Sequence, residues 1–158
     1  MKICRYQTGE TVAYGLIEGD RIERLAGCPI GGETVPTGET LPLSQARLLA
    51  PVSPPNILAI GLNYREHAEE TGAAIPDHPL LFIKATSAVI GPGEPIVLPR
   101  SAPDEVDYEA ELAVVIGKTA SRVKAEDAPD FVFGFTCAND VSARDCQKRR
   151  DLQWARAK

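Results

Sequence analysis

Apolar and polar positions alternate through residues 107–118, Asp-Tyr-Glu-Ala-Glu-Leu-Ala-Val-Val-Ile-Gly-Lys. This alternation, with β-branched Val114, Val115 and Ile116, predicts one β-strand that Gly117 ends. Side chains leave a strand on alternate faces, so Glu109 and Glu111 share one face. Tyr108, Ala110, Leu112 and Val114 take the other. Shorter runs of the same kind predict strands over Ile3–Tyr6, Thr11–Ile17 and Arg21–Leu25, with turns at Gly9-Glu10 and Glu18-Gly19-Asp20. Residues 26–40, rich in Gly, Pro and Thr, read as a loop. Pro51–Pro55 is a proline-rich joint and the expected boundary between a small β-rich module (1–50) and a second domain (54–158).

Beyond the joint, residues 56–61, 80–85, 96–99 and 131–138 read as strands. Residues 63–72 read as a short helix, with Asn63 as N-cap and Gly72 as the stop. Ser142 and Asp145 have capping-box spacing, so a further helix is expected to start there. Asp140 then lies at a strand-to-helix junction, where a helix N-terminus favours negative charge.

Several of these positions carry candidate chemistry. Two carboxylates side by side on an otherwise apolar strand repel each other and are costly to desolvate, and a hard divalent cation binding both removes the conflict. The competing reading of Glu109 and Glu111 is a solvated strand face. On the short helix, His67 and Glu70 are three apart and share a side. A histidine held by a carboxylate is the usual general base acting on water; the alternative is a charged surface helix. Arg144 and Gln147, also three apart, are suited to a carboxylate and a carbonyl of a small ligand, or simply face solvent. Lys84 ends its strand, where it steers an anion or faces water.

Composition narrows the field. Of 158 residues, 44% are hydrophobic and 25% charged, the balance of an ordinary globular chain. A net charge of -5 argues against nucleic-acid or membrane-surface partners. No apolar run reaches the length of a membrane span. The start, Met-Lys-Ile-Cys-Arg, lacks a signal-peptide core, so a cytoplasmic protein is expected. Cys4, Cys28, Cys137 and Cys146 form no Cys-x-x-Cys pair, and there are only two histidines. Any metal is therefore expected to be oxygen-ligated magnesium, manganese or calcium, not zinc. A P-loop and a Gly-x-Gly-x-x-Gly turn are both absent.

Six stretches in order resemble the fumarylacetoacetate hydrolase family: Gly61-Leu-Asn-Tyr-Arg-Glu-His67, Leu80-Leu-Phe-Ile-Lys84, 107–117, 131–140, Val141-Ser-Ala-Arg-Asp145 and Trp154-Ala-Arg-Ala-Lys158. Residues 1–50 resemble the small N-terminal module of bacterial members. The resemblance implies a mainly β fold with short helices (α+β), a mixed β-roll, and a homodimer in the full-length form. It implies that Glu109, Glu111 and Asp140 bind Mg2+ or Mn2+, and that His67 and Glu70 activate water from a lid-like helix. It further implies that Lys158 contacts the substrate's enolate or oxyanion, and that Arg144 and Gln147 line the pocket. Lys84 is followed by Ala85 where many relatives carry proline. The implied substrates are acylpyruvates, oxaloacetate-like acids and ring-cleavage dioates of aromatic catabolism. The implied reactions are carbon–carbon bond hydrolysis, decarboxylation or a double-bond shift through a metal-stabilised enolate.

The family's catalytic domain normally runs on and closes its β-roll with a glycine-rich threonine motif, which this sequence does not reach. The expectation is a β-roll incomplete at its C-terminus, with unpaired strand edges. A second reading follows, in which the chain is a non-catalytic fragment or split half that binds metal or a partner chain.

Overall fold

The computed structural model describes residues 1–150 and 152–158. Eleven strands and two short α-helices follow in chain order among the described residues. They are β1 (Ile3–Thr8), β2 (Thr11–Glu18), β3 (Arg21–Leu25), β4 (Pro36–Pro42), β5 (Arg47–Leu48), β6 (Ile57–Gly61), α1 (Arg65–Thr71), β7 (Leu80–Lys84), β8 (Val106–Asp107), β9 (Ala110–Ile116), β10 (Val132–Asn139), β11 (Ser142–Ala143) and α2 (Trp154–Ala157). The fold is mainly β with short helices, as expected from the sequence.

The chain divides into two compact units. The first comprises Met1–Val52, Ile90–Pro95 and Ala110–Asn139. Its five-stranded sheet has the order β4-β3-β2-β1-β5. β1 and β2 pair from Ile3↔Leu16 to Thr8↔Thr11, leaving the two-residue loop Gly9-Glu10. Gly9 adopts φ 56°, the left-handed conformation a tight hairpin requires and glycine adopts without strain. Cys4, Tyr6 and Ile22 form the buried centre, flanked by Ala13, Ile17, Leu41 and Leu48. A Cβ at Gly15 would lie 2.9 Å from the Glu23 carbonyl and 3.2 Å from the Tyr6 ring, so glycine is what lets β1 and β3 close over β2 there. Burial also holds the Cys4 thiol above its ordinary range, consistent with a packing thiol.

β4 corrects the loop expected over residues 26–40. Its polar sequence pairs with β3 through Ile22↔Leu41 and Leu25↔Pro36. β9 and β10 form an antiparallel hairpin in the same unit, with Val114 opposite Phe135 and Leu112 opposite Cys137. Leu112, Val114, Ile116 and Phe135 are all exposed.

The second unit comprises Ser53–Val89, Ile96–Glu109 and Asp140–Lys158. β6 and β7 pair from Ile57↔Lys84 to Gly61↔Leu80. β8 pairs with β11 through Asp107↔Ser142 and Val106↔Ala143. Ala102, Ala143, Cys146 and Ala157 form its buried cluster, with Val106 packed against it.

Four further expectations are corrected by the structure. Ile96–Pro99 is not a strand; Pro95 and Pro99 bracket it and lack the N–H groups a ladder needs. The α1 N-cap is Tyr64, one residue beyond Asn63, while Gly72 does stop the helix, at φ 64°. The Ser142–Asp145 capping box does not form. Ser142 sits in β11, helical structure begins at Arg144, and it continues as a π-helix over Cys146–Arg150. The strand expected over 107–118 is likewise interrupted, with β8 ending at Asp107 and β9 starting at Ala110.

Candidate metal and lysine–carboxylate centre

Glu109 lies in the break between β8 and β9, and Asp140 follows β10. The Asp140 N–H donates to the Glu109 carbonyl at 2.9 Å, which makes the two residues cross-strand neighbours. Three cations of the second unit converge on their carboxylates. Lys158 Nζ donates to Glu109 Oε2 and to Asp140 Oδ2, both at 2.8 Å. Lys84 pairs with the other Asp140 oxygen, Oδ1. Arg144 Nη1 lies 2.6 Å from Glu109 Oε1. The centre is largely dry: side-chain exposure is 3% for Lys158, 8% for Asp140 and 14% for Lys84. Charges so shielded interact more strongly than surface pairs, and each depends on its partner to offset desolvation.

Neighbouring polar groups fix the orientation. Ser142, fully buried, places Oγ 3.0 Å from both Glu109 Oε1 and the Asp140 carbonyl. Arg144 Nε donates to Asp107 Oδ2 at 2.8 Å, and its Nη1 donates to Gln147 Oε1 at 2.9 Å. Burial alone would push the Glu109 carboxyl up. Lys158, Arg144 and the Ser142 hydroxyl outweigh burial and hold it below the usual glutamate value, so it is ionised at neutral pH.

One carboxylate oxygen each from Glu109, Glu111 and Asp140 lies within 4.8 Å of the others. Oxygen ligands of hard divalent cations sit about 2.0–2.6 Å from the ion, so donors around one ion span up to about 4–5 Å. The donor chemistry therefore suits a hard divalent cation, and separations within 4.8 Å are of the order that the ligands of one such ion span.

The other sequence-derived candidates fall in two groups. Arg144, Gln147, Lys84 and Lys158 all belong to the centre, although Arg144 and Gln147 are bonded to each other. His67 and Glu70 are exposed on α1, and neither side chain makes a hydrogen bond or ion pair among the described residues. Ser142, Asp107, Phe82 and Trp154 were not anticipated as site residues. Phe82 did carry a signal: it is two positions before Lys84 on β7 and so shares its face.

Residues 56–158 match the fumarylacetoacetate (FAA) hydrolase C-terminal family, and residues 1–51 match the Rv2993c-like N-terminal family. The chain belongs to the fumarylacetoacetate hydrolase family. Protein Rv2993c of Mycobacterium tuberculosis is 41% identical over 165 residues, covering all of this chain and 61% of that protein. Oxaloacetate tautomerase YisK of Bacillus subtilis is 50% identical over 111 residues, covering 68% of this chain and 37% of that protein. Among solved structures, 5-carboxymethyl-2-hydroxymuconate delta-isomerase from Mycobacterium smegmatis superposes with a TM-score of 0.89 at 42% identity, over all of this chain and 61% of that chain. Maleylpyruvate hydrolase from Sphingobium sp. SYK-6, in complex with manganese(II) and pyruvate, gives 0.70 at 28% identity, over 98% of this chain and 62% of that chain. The chain thus spans 62% or less of the length of each of these relatives. Among the described residues no helix is long and apolar enough to cross a membrane.

Proposed function

We propose that this chain carries the metal and lysine centre of an enzyme that acts on small keto–enol acids, converting them through an enolate. The observation that carries this reading is Lys158, whose ammonium bridges Glu109 and Asp140 at 2.8 Å each. An ammonium has three N–H donors. Two are committed to the carboxylates, and the third is available to a substrate oxyanion. A buried, pre-oriented donor of this kind stabilises charge as it develops on a carbonyl oxygen.

Glu109, Glu111 and Asp140 would hold a divalent cation, magnesium or manganese. Such a cation supplies Lewis acidity toward the carboxylate and keto oxygens of a chelating acid. Arg144 and Gln147 line the pocket in this reading, and the Arg144 pairing with Asp107 and Glu109 fixes the guanidinium before substrate arrives. His67 and Glu70 serve as the acid–base pair from α1. For hydrolysis they would activate water; for a double-bond shift they would move a proton between carbon and oxygen. Among the relatives, the tautomerase and isomerase names favour proton transfer as the reaction and oxaloacetate-like or hydroxymuconate-like acids as substrates.

The test is turnover of oxaloacetate and acetylpyruvate with Mg2+ or Mn2+, by this chain and by a chain of the relatives' length. Enol-to-keto conversion, decarboxylation and acyl hydrolysis are followed separately. Glu109→Gln is expected to abolish metal-dependent turnover, and undiminished activity in that variant would overturn the reading.

A further inference from the structure

We propose that Phe82 and Trp154 form an aromatic clamp that positions the Lys158 ammonium, and that Gly61 leaves the space the clamp needs. The importance of this position rests on the role proposed for Lys158; the packing argument stands apart from it.

A lysine side chain is long and flexible, so holding its ammonium between two carboxylates costs rotamer freedom that further packing can offset. The Lys158 Nζ lies 5.3 Å from the centroid of the Phe82 ring, within the range over which an aromatic face attracts an ammonium. Phe82 is held in turn by Trp154. Their centroids are 5.2 Å apart and their planes meet at 76°, the edge-to-face arrangement that the ring quadrupoles favour. Trp154 opens α2, and Lys158 lies four residues on, at its C-cap. This spacing puts the indole and the lysine on one side of the same helical turn. On β7, Phe82 and Lys84 are two apart and share a face. The face that brings Lys84 to Asp140 therefore also brings Phe82 to Lys158.

Gly61 completes the device. It pairs with Leu80 across the β6–β7 ladder. A Cβ there would lie 2.6 Å from Trp154 Cζ3 and 2.9 Å from Cη2. Gly61 is not among the glycines with positive φ, so backbone conformation does not account for it. What the position requires is room for the indole against β6.

In this arrangement Phe82 and Trp154 are positioning residues. Misplacing a catalytic group by about an ångström is enough to cost large factors in rate, and the clamp restricts a long side chain with many rotamers.

The test uses the full chain with Phe82 replaced by mono-, di- and trifluorophenylalanine. These keep the ring's shape while progressively weakening its attraction for a cation. Acetylation of Lys158 by acetic anhydride is measured by mass spectrometry relative to Lys124, whose side chain is 76% exposed. The expected result is a graded rise, with the trifluoro variant labelling Lys158 roughly three- to tenfold faster. A flat series would overturn the clamp. Trp154 is the sole tryptophan, so its emission reports whether α2 stays docked. Unchanged emission across a graded series supports the proposal. Emission that shifts to the red in step with labelling would overturn it, reducing the effect to lost packing. If neither this chain nor one of the relatives' length converts a keto acid, the proposed function fails while the labelling series still decides the clamp.

Discussion

Lys158 and Asp140 lie 2.8 Å apart, nitrogen to oxygen, in a region that excludes nearly all solvent from both side chains. A pair so placed is unequal in its two directions of failure: forming it gains little over an apolar alternative, while removing one partner strands the other charge. Lys158→Met is therefore expected to destabilise the protein by roughly 3 kcal/mol, the low end for a broken buried pair because Lys84 still meets Asp140. Urea unfolding followed by Trp154 emission measures this, and an unchanged midpoint would contradict the burial of the pair.

The carboxylate group makes a second prediction, independent of any substrate. Removing a residue that merely supports a metal ligand typically costs about 10–100-fold in affinity. Glu109→Gln and Asp140→Asn, which would alter ligands themselves, are expected to weaken Mn2+ binding by about 100-fold or more. Titration followed by electron paramagnetic resonance reports free Mn2+ directly. In wild-type protein, chelation should remove activity and added Mn2+ should restore it; activity that persists in excess chelator would argue against the metal reading.

Gly61 offers a purely steric test. Adding one methyl group at a packed position typically costs about 1–3 kcal/mol when the neighbours must shift. Gly61→Ala is expected to fall in that range and to move Trp154 emission to longer wavelength. A variant with native stability and emission would show that the indole has room to spare.

Away from the centre, Glu94 is expected to contribute to stability in a pH-dependent way. Its carboxylate accepts the Gly91 N–H at 2.9 Å and pairs with Arg47. That backbone hydrogen bond, then the Arg47 partner, lowers its pKa below the ordinary 4.5. A lowered folded-state pKa means the unfolded chain binds the proton more readily. The stabilisation is thus fully present above pH 4.5 and is lost as pH falls through the folded value. Glu94→Gln should flatten this part of the acid limb while leaving the pH dependence above about 5 unchanged. Parallel stability profiles from pH 3 to 7 for the two proteins would refute the assignment.

Most strands were legible because alternation or β-branched runs mark them directly; β1, β2, β3, β6, β7 and β10 fall where the pattern puts them. β4 was not, since Pro36-Thr-Gly-Glu-Thr-Leu-Pro42 carries the composition of a loop and becomes a strand only by pairing with β3. Ile96-Val-Leu98 failed in the opposite direction, an apolar run denied a ladder by its flanking prolines. Ser142 and Asp145 matched a local capping pattern, but tertiary structure recruited the Ser142 hydroxyl to Glu109 and β11 to β8. Within the centre, Glu109, Glu111 and Asp140 were legible as acids in a telling context. That Lys84 meets Asp140 was not, because 56 residues separate them and no local pattern encodes such a contact.

The hairpin of β9 and β10 also bears on how this protein behaves in the tube. Alternation along β9 turns Glu111 one way and Leu112, Val114 and Ile116 the other, and with Phe135 these apolar side chains meet solvent as a row. Opposing self-association is the repulsion between chains of net charge -5, and salt screens that repulsion within about 10 Å at 0.1 M. Salt is therefore expected to promote self-association through this face, and dilute, low-salt solutions at neutral pH are expected to favour single molecules.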